Sequence, residues 1–135
     1  MPATLTLLLN VLWLIFGGFI SALAWLLAAL IMALTIIGLP WVPAAIRIAG
    51  FTAWPFGRHI VPREMATGRE DLGTGPTGCL LNGLWIVFAG WWLALHHIAI
   101  GLAQCVTIIG IPFGWQHLKL ALLAIAPVGK EIVDA

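Results

Sequence analysis

The chain repeats the hexapeptide LLNVLW of residues 8–13 as LLNGLW at residues 80–85. The same offset of 72 residues relates the turn sequence TIIGLP at residues 35–40 to TIIGIP at residues 107–112. In the gapless alignment that begins at residue 8, 20 of the 54 residue pairs are identical. Two unrelated apolar helices do not readily share an asparagine and a Gly-x-Pro turn at one spacing. The sequence therefore predicts a tandem duplication, a pattern common in membrane proteins.

The distribution of charge around these repeats predicts an integral membrane protein. The 135 residues are 62% hydrophobic and 8% charged, with a mean hydropathy of +1.10, whereas a soluble domain carries about 25% charged residues. Residues 1–46 and 72–118 contain no Asp, Glu, Lys or Arg. Since a helix crosses the hydrocarbon with about 20 residues, each run is long enough for one crossing or for two short ones. The formal charge of +1 offers no field to attract nucleic acid.

The midpoint of each repeat favours two crossings over one. Gly17, Gly18 and Ser21 occupy it in the first copy, and His96 and His97 follow Gly90-Trp91-Trp92 in the second. Small and polar residues there suit a tight hairpin apex at the far interface, where Trp and His are less costly than in hydrocarbon. An even number of crossings also leaves the basic residues of the central loop and the C-terminal tail on one side. That side is cytoplasmic by the positive-inside rule.

The predicted fold is all-α and membrane-integral, built from tandem helical units that each contain a transmembrane hairpin and a short interfacial helix. The interfacial helices are expected over residues 41–54 and 113–126, each with one basic residue that reaches the headgroups. The alternative is one long bent helix per copy, with inverted repeats.

The same alignment divides the chain into two membrane repeats and one linker. Residues 1–61 form the first repeat, residues 62–77 a cytoplasmic linker rich in Pro, Gly and charge, and residues 78–135 the second repeat. Both termini are expected in the cytoplasm. The two cysteines, Cys79 and Cys105, lie in or beside apolar runs and are interpreted as small buried hydrophobes rather than a disulfide.

Several motifs resemble the YccF family of small bacterial inner-membrane proteins. They are LNxLW in both copies, Gly90-Trp91-Trp92, the segment IAIGLAQC of residues 98–105, the IIGIP turn, and Pro127-Val128-Gly129. The resemblance covers nearly the whole chain. It implies a multi-pass protein of the bacterial inner membrane, and it implies no established activity.

Four polar residues inside the apolar runs are candidates for interhelical contacts or for a pore lining. Asn10 and Asn82 fall within the first apolar stretch of each copy, and Thr35 and Thr107 open the two turns. A polar amide in hydrocarbon needs a partner, so we favour interhelical bonding, with Asn10 bonded to Asn82 across a pseudo-two-fold axis. The alternative is a ring of amides that lines a pore in an oligomer.

Four basic residues are candidates for lipid or anion contact: Arg47 and Lys119 in the predicted interfacial helices, and Arg58 and Lys130 after the prolines that end them. Anchoring to anionic headgroups is the simpler interpretation. Binding of an anionic headgroup in a defined site, or of an anion at the inner mouth of a pore, is the more specific one.

Catalytic and metal-binding patterns are absent from the sequence. No acid lies in the apolar runs, and no nucleophile elbow, phosphate loop or dinucleotide-binding glycine pattern occurs. Adjacent residues on a helix point about 100° apart, so His96 and His97 cannot hold one metal ion from one face. Interfacial polarity accounts for them better. We therefore predict no enzyme, no cofactor and no metal.

Two functions of different classes remain. The first is an oligomeric passive pore, because a single copy of this chain is too small to enclose a pathway. The second is a structural or accessory protein that packs against an unidentified membrane partner or organises lipid. The expected partners are the lipid bilayer and further copies of the chain.

Overall fold

The computed structural model describes residues 2–36, 38–62 and 76–134. Within them the chain forms six α-helices and one pair of β-strands. In chain order these are α1 (Ala3–Trp13), α2 (Phe19–Leu34), α3 (Val42–Ala53), β1 (Arg58–Pro62), α4 (Pro76–Trp85), α5 (Trp91–Cys105), α6 (Ile111–Ile125) and β2 (Lys130–Asp134). Most of the predicted linker, residues 62–77, lies outside the described residues; Pro62 closes β1, and Pro76 and Thr77 lie in α4.

Two helical runs are long and apolar enough to cross a membrane among the described residues. They are Ala3–Leu34, with 32 residues, and Gly78–Cys105, with 28 residues. Within these runs α1 joins α2, and α4 joins α5, through the π-helical turns Leu14–Gly18 and Ile86–Gly90. Neither predicted apex, at Gly17-Gly18 or near residues 90–97, forms a loop. The chain instead continues as helix, with a kink in the first copy where Gly17 has φ 144°.

The chain reverses direction at the repeated TIIGxP sequences. Thr35 Oγ1 donates to the Met32 carbonyl at 2.7 Å, and the Gly38 N–H donates to Thr35 Oγ1 at 3.0 Å. A side chain at Gly38 would collide with the backbone, because its Cβ would lie 2.5 Å from the Met32 oxygen. The second copy repeats both bonds, at 3.0 and 3.1 Å, through Thr107 and Gly110.

After each turn a shorter helix runs back along the one before it. α3 packs along α2, and α6 packs along α5. The directions follow from contacts in the second copy, since Gly114 lies against Cys105 near the turn and Gly90 lies against the Ala124 carbonyl at the other end. These two helices cover the stretches predicted to be interfacial. Pro55 and Pro127 follow them, consistent with the inability of proline to continue a helix.

A tryptophan and an asparagine hold the first helix of each copy to the end of the returning helix. The Trp13 indole N–H donates to the Thr52 carbonyl at 2.6 Å. Asn10 accepts from the Phe56 N–H at 2.9 Å and donates to the Phe56 carbonyl at 3.0 Å. We call these three bonds the clamp. The second copy has the same clamp 72 residues later, from Trp85 to Ala124 at 2.6 Å and from Asn82 to Val128 at 2.9 and 3.5 Å.

A two-stranded antiparallel sheet joins the two copies. β1 pairs with β2 so that Ile60 lies opposite Ile132, its own counterpart in the repeat. Sequence analysis did not predict these strands, so the all-α assignment is incomplete. Runs of β-branched residues favour strands, and Ile60-Val61 and Ile132-Val133 follow a Pro-x-Gly turn in both copies.

A pseudo-two-fold axis relates the copies. It passes between Ile60 and Ile132 in the sheet. It also passes where α2 crosses α5, because Trp25 donates to its counterpart His97 at 2.9 Å. The helices run in opposite directions at this crossing, since Gly17 at the start of α2 faces Gln104 at the end of α5.

Many large apolar side chains lie on the surface of this protein rather than in its core. At the second turn Val106, Ile108 and Ile109 are 85–86% exposed. The buried core holds instead the indole rings of Trp13, Trp25 and Trp85. This distribution suits a protein whose outer surface meets lipid.

The clamp generates a first prediction. Asn10→Leu keeps the bulk of the side chain but leaves the N–H and C=O of Phe56 without their partners. Each unsatisfied buried group costs about 1–3 kcal/mol, so we expect the free energy of unfolding to fall by about 3 kcal/mol. Thermal unfolding in detergent measures it, with Leu8→Ala at an exposed position of the same helix as the control. Equal unfolding temperatures for Asn10→Leu and the native chain would contradict the clamp.

Candidate functional site

A cluster of polar side chains lies where the two copies cross. Ser21 and Trp25 come from α2, His96 and His97 from α5, and His117 from α6. Ser21 Oγ lies 2.9 Å from His96 Nε2, and Trp25 Nε1 donates to His97 Nε2 at 2.9 Å. His97 Nδ1 lies 3.0 Å from His117 Nδ1. Since Ser21, His97 and His117 are fully buried, each polar group here depends on a protein partner.

Aromatic rings enclose this central cluster. His117 stacks on Trp13 with ring centroids 4.2 Å apart, and Trp25 stacks on Trp85 at 5.8 Å. The interpretation of His96 and His97 as interfacial residues therefore does not describe His97, which contacts both copies in the interior. Adjacent positions on one helix face different partners, as expected for residues about 100° apart.

The hydrogen bonds of His97 leave it no free lone pair for a metal ion. An indole N–H can only donate, so Nε2 of His97 accepts, and Nδ1 is engaged with His117. No group of three or more His, Cys, Asp or Glu that could hold a metal occurs among the described residues.

A second site is a surface pocket beside the sheet, which we call the basic pocket. It has a volume of about 330 Å³ and is lined by Phe51, Arg58, His59, Ile60, Gln116, Lys119, Leu122, Leu123 and Lys130. Three of the four basic residues singled out in the sequence line it. No Asp or Glu is among the described residues that form its wall. The pocket wall combines positive groups with apolar side chains. These are complementary to the charged headgroup and to the hydrocarbon of an anionic lipid.

The fourth basic residue, Arg47, lies on the corresponding side of the other copy, where the charge is neutralised. Arg47 Nη1 is 3.5 Å from Glu131 Oε1. The repeat partner of Arg47 is Lys119, and that of Glu131 is His59. The duplication has therefore kept a basic residue at both positions, whereas the position of Glu131 holds a histidine in the other copy. A smaller pocket of about 240 Å³ lies beside Arg47.

The four predicted pore-lining or interhelical residues do not meet one another. Asn10 and Asn82 bind backbone within their own copies, rather than each other. Thr35 and Thr107 bind the backbone of their turns. Each of the four side chains thus bonds within its own copy. Asn10 is completely buried.

Comparison with known proteins follows from this architecture. The family described as the inner membrane component domain, YccF, matches the chain twice, at residues 8–58 and 80–130. The chain belongs to the YccF family. The two matches confirm the tandem duplication, since they are offset by 72 residues.

Curated members of the YccF family are similar to this chain over most of its length. The inner membrane protein YccF of Escherichia coli (strain K12) is 41% identical over 129 residues, which cover 93% of this chain and 86% of that protein. The YccF protein of Shigella flexneri shows the same identity and coverage. These names state a location, the inner membrane, and no activity. No solved structure matches the chain.

Sequence reasoning about this YccF chain missed the central cluster and found most of the basic pocket. The signal for the cluster was available, because Trp25 aligns with His97 and Ser21 lies four residues before Trp25. A tryptophan donor and a histidine acceptor at equivalent positions form a complementary pair if a two-fold axis passes between them. The sequence alone could not assign His117 to the central cluster, since its partner His97 lies on a different helix.

The central cluster generates a second prediction. Trp25→Phe removes the donor to His97 Nε2 and opens a cavity, so we expect the free energy of unfolding to fall by about 2–4 kcal/mol. Trp91→Phe, at a position that is 55% exposed, is the matched control and should change stability by less than about 1 kcal/mol. Thermal unfolding of both variants in the same detergent tests this. Similar effects at the two positions would argue against a structural role for the indole bond.

Proposed function

We propose that this chain is a multi-pass inner-membrane protein that binds the anionic headgroup of a lipid in the basic pocket and so organises lipid at the cytoplasmic face. The observation that carries the proposal is the convergence of Arg58, Lys119 and Lys130 on one cavity of about 330 Å³. Clusters of Lys and Arg at the membrane surface attract anionic lipids.

The sheet places charged residues of the two units side by side. The pseudo-two-fold axis passes through the Ile60–Ile132 pair, beside Arg58 and Lys130. If the axis lay in the membrane plane, these charged residues would sit near the middle of the bilayer, where they are costly. We therefore place the sheet, with Arg58 and Lys130, at one membrane surface. Because α2 and α5 run in opposite directions, the axis is perpendicular to these helices and does not relate them as parallel spans.

The surface that holds the sheet is assigned to the cytoplasm because basic residues near membrane segments concentrate there. Each unit then runs from the sheet through a long bent helix to its apolar turn and returns through a shorter helix. In this arrangement each unit reverses at its TIIGxP turn rather than within the long apolar run, and the helix that the sequence placed in the interface leads back to the sheet. Both termini lie in the cytoplasm in this arrangement.

This topology gives a third prediction. Arg58→Cys and Lys130→Cys, each made with Cys79 and Cys105 replaced by Ala, should react with a membrane-impermeant maleimide in inverted vesicles and not in intact spheroplasts. The physical reason is that the two positions belong to paired strands on one face. Labelling of the two positions from opposite sides of the membrane would rule out a common face for the two strands.

The chemistry of the basic pocket favours a phosphate-bearing lipid. Arg58 can bind a phosphate through two parallel hydrogen bonds, and Lys119 adds a point charge. Ile60, Leu122 and Leu123 give the same cavity an apolar wall. A headgroup with its adjoining hydrocarbon uses both surfaces, whereas a free anion would use only the first.

A fourth prediction tests this site. Each cation near the surface contributes about 1 kcal/mol to binding of an anionic lipid, so Arg58→Gln with Lys119→Gln should weaken phosphatidylglycerol binding by about 30-fold. Arg47→Gln is the matched control, because its guanidinium already pairs with Glu131, and it should change binding by less than about threefold. Native mass spectrometry of the purified protein, titrated with phosphatidylglycerol or phosphatidylcholine, measures the bound lipid.

Two outcomes would count against lipid binding at this pocket. Equal binding by the double variant and the Arg47→Gln control would place the lipid elsewhere. Displacement of the bound lipid by millimolar inorganic phosphate would mean that the pocket recognises the anion and not the lipid.

An oligomeric passive pore is the other function that the sequence allows. Its expected lining, Asn10 and Asn82, is engaged in the clamps, and Thr35 and Thr107 are engaged in the turns. A pore would therefore need another polar surface. For this reason we favour lipid organisation, with homo-oligomers or an unidentified membrane partner assembling through the exposed apolar faces.

A further inference from the structure

The kink in the first copy brings three polar groups of the two copies together. Phe16 has φ −95° and ψ 18°, and Gly17 has φ 144°. A positive φ of this size is readily adopted only by glycine. The kink turns the Phe16 carbonyl towards α5, where it accepts a hydrogen bond from Gln104 Nε2 at 3.0 Å. The side chain of His117 borders the same point.

The hydrogen bonds of the central cluster fix which nitrogen of each histidine carries the proton. The Trp25 N–H donates to His97 Nε2, so the proton of neutral His97 is on Nδ1. His97 Nδ1 then donates to His117 Nδ1, so the proton of neutral His117 is on Nε2. Among the described residues this buried Nε2–H has no hydrogen-bond partner.

Gln104 supplies the complementary group. Its Nε2 must be the atom that faces the Phe16 carbonyl, because a carbonyl only accepts. Its Oε1 is buried and likewise has no partner in the described part of the chain. One donor and one acceptor, both shielded from solvent, thus border the kink.

The space in front of Gly17 admits an atom of the size of a methyl group or a water molecule. A Cβ built on Gly17 would lie 3.6 Å from His117 Nε2, 3.7 Å from Gln104 Nε2 and 3.7 Å from Ile100 Cγ2. These are ordinary contact distances, so an atom of that size fits without moving the neighbours. A buried polar site of this size with two or more polar partners can hold a water molecule.

We propose that Gly17, Gln104 and His117 form a binding site for one small neutral hydroxylic molecule, of the size of water. The molecule accepts a hydrogen bond from His117 Nε2 and donates one to Gln104 Oε1. A cation would meet the protonated Nε2, and an anion would meet the amide oxygen. A metal ion would need the lone pair that Nε2 does not have in this tautomer.

The site occurs at only one of the two symmetry-related places between the copies. The repeat counterparts of Gly17, Gln104 and His117 are Ala89, Met32 and Ala45. All three of these are buried apolar residues. The second copy therefore closes the equivalent place with hydrocarbon, and the polar site is a departure from the duplicated plan.

Nuclear magnetic resonance of the full chain in lipid nanodiscs, with ¹⁵N-labelled histidine, tests the proposal. We expect His97 protonated on Nδ1 and His117 protonated on Nε2, with a cross-peak between the His117 Nε2 proton and water. Gln104→Leu should remove that cross-peak and leave the His97 tautomer unchanged, because Trp25 fixes it. The control Met32→Leu, at the repeat counterpart of Gln104, should keep both signals.

The native chain alone decides the question if Gln104→Leu fails to fold. Protonation of His117 on Nδ1, or an Nε2 proton without a water cross-peak, would overturn the site. So would a cross-peak that survives at full intensity in folded Gln104→Leu, since the acceptor would then lie elsewhere.

Discussion

Asn10 and Asn82 each hydrogen-bond both backbone groups of a residue just beyond the end of a returning helix. Proline ends that helix, so the N–H and C=O that follow lose their helical partners. Asn10 is completely buried, so no water replaces them there. The amide, with one donor group and one acceptor, supplies both. These bonds hold the first helix of each copy against the end of its returning helix. The strand that pairs with the other copy begins just after them. The position of the sheet, the crossing of α2 with α5 and the basic pocket all depend on them.

The two copies share the contacts that stabilise the fold. They differ at polar and charged residues of the candidate sites. Clamp, turn and strand are repeated with nearly the same distances. Among the differences between the copies are Glu131, the acidic partner of Arg47, whose repeat counterpart is His59, and Gln104 and His117 near the kink, whose counterparts are Met32 and Ala45. A duplicated membrane protein can change these positions in one copy while the other keeps its packing.

Sequence was sufficient for features that depend on local spacing. The duplication, the membrane location and the TIIGxP turns follow from repeated residues and from charge-free runs. Three of the four basic residues singled out from the sequence line one pocket: Arg58 and Lys130 lie just after a recognisable helix end, and Lys119 lies within a returning helix. The apex of each unit was misplaced, since glycine at the midpoint permits a π-helical turn as well as a loop. The sheet and the histidine cluster depend on contacts between copies, and spacing within one copy carries little information about them.

The two turns have a consequence for how the chain enters the membrane. Leu34 and Ile36 in one turn, and Val106, Ile108 and Ile109 in the other, are exposed and apolar. No charged residue lies in residues 1–46 or 72–118. Insertion of either unit therefore requires no ionised side chain to be carried across the bilayer. In the proposed topology every ionised side chain stays on the cytoplasmic side, so insertion of the protein has little need of the membrane potential.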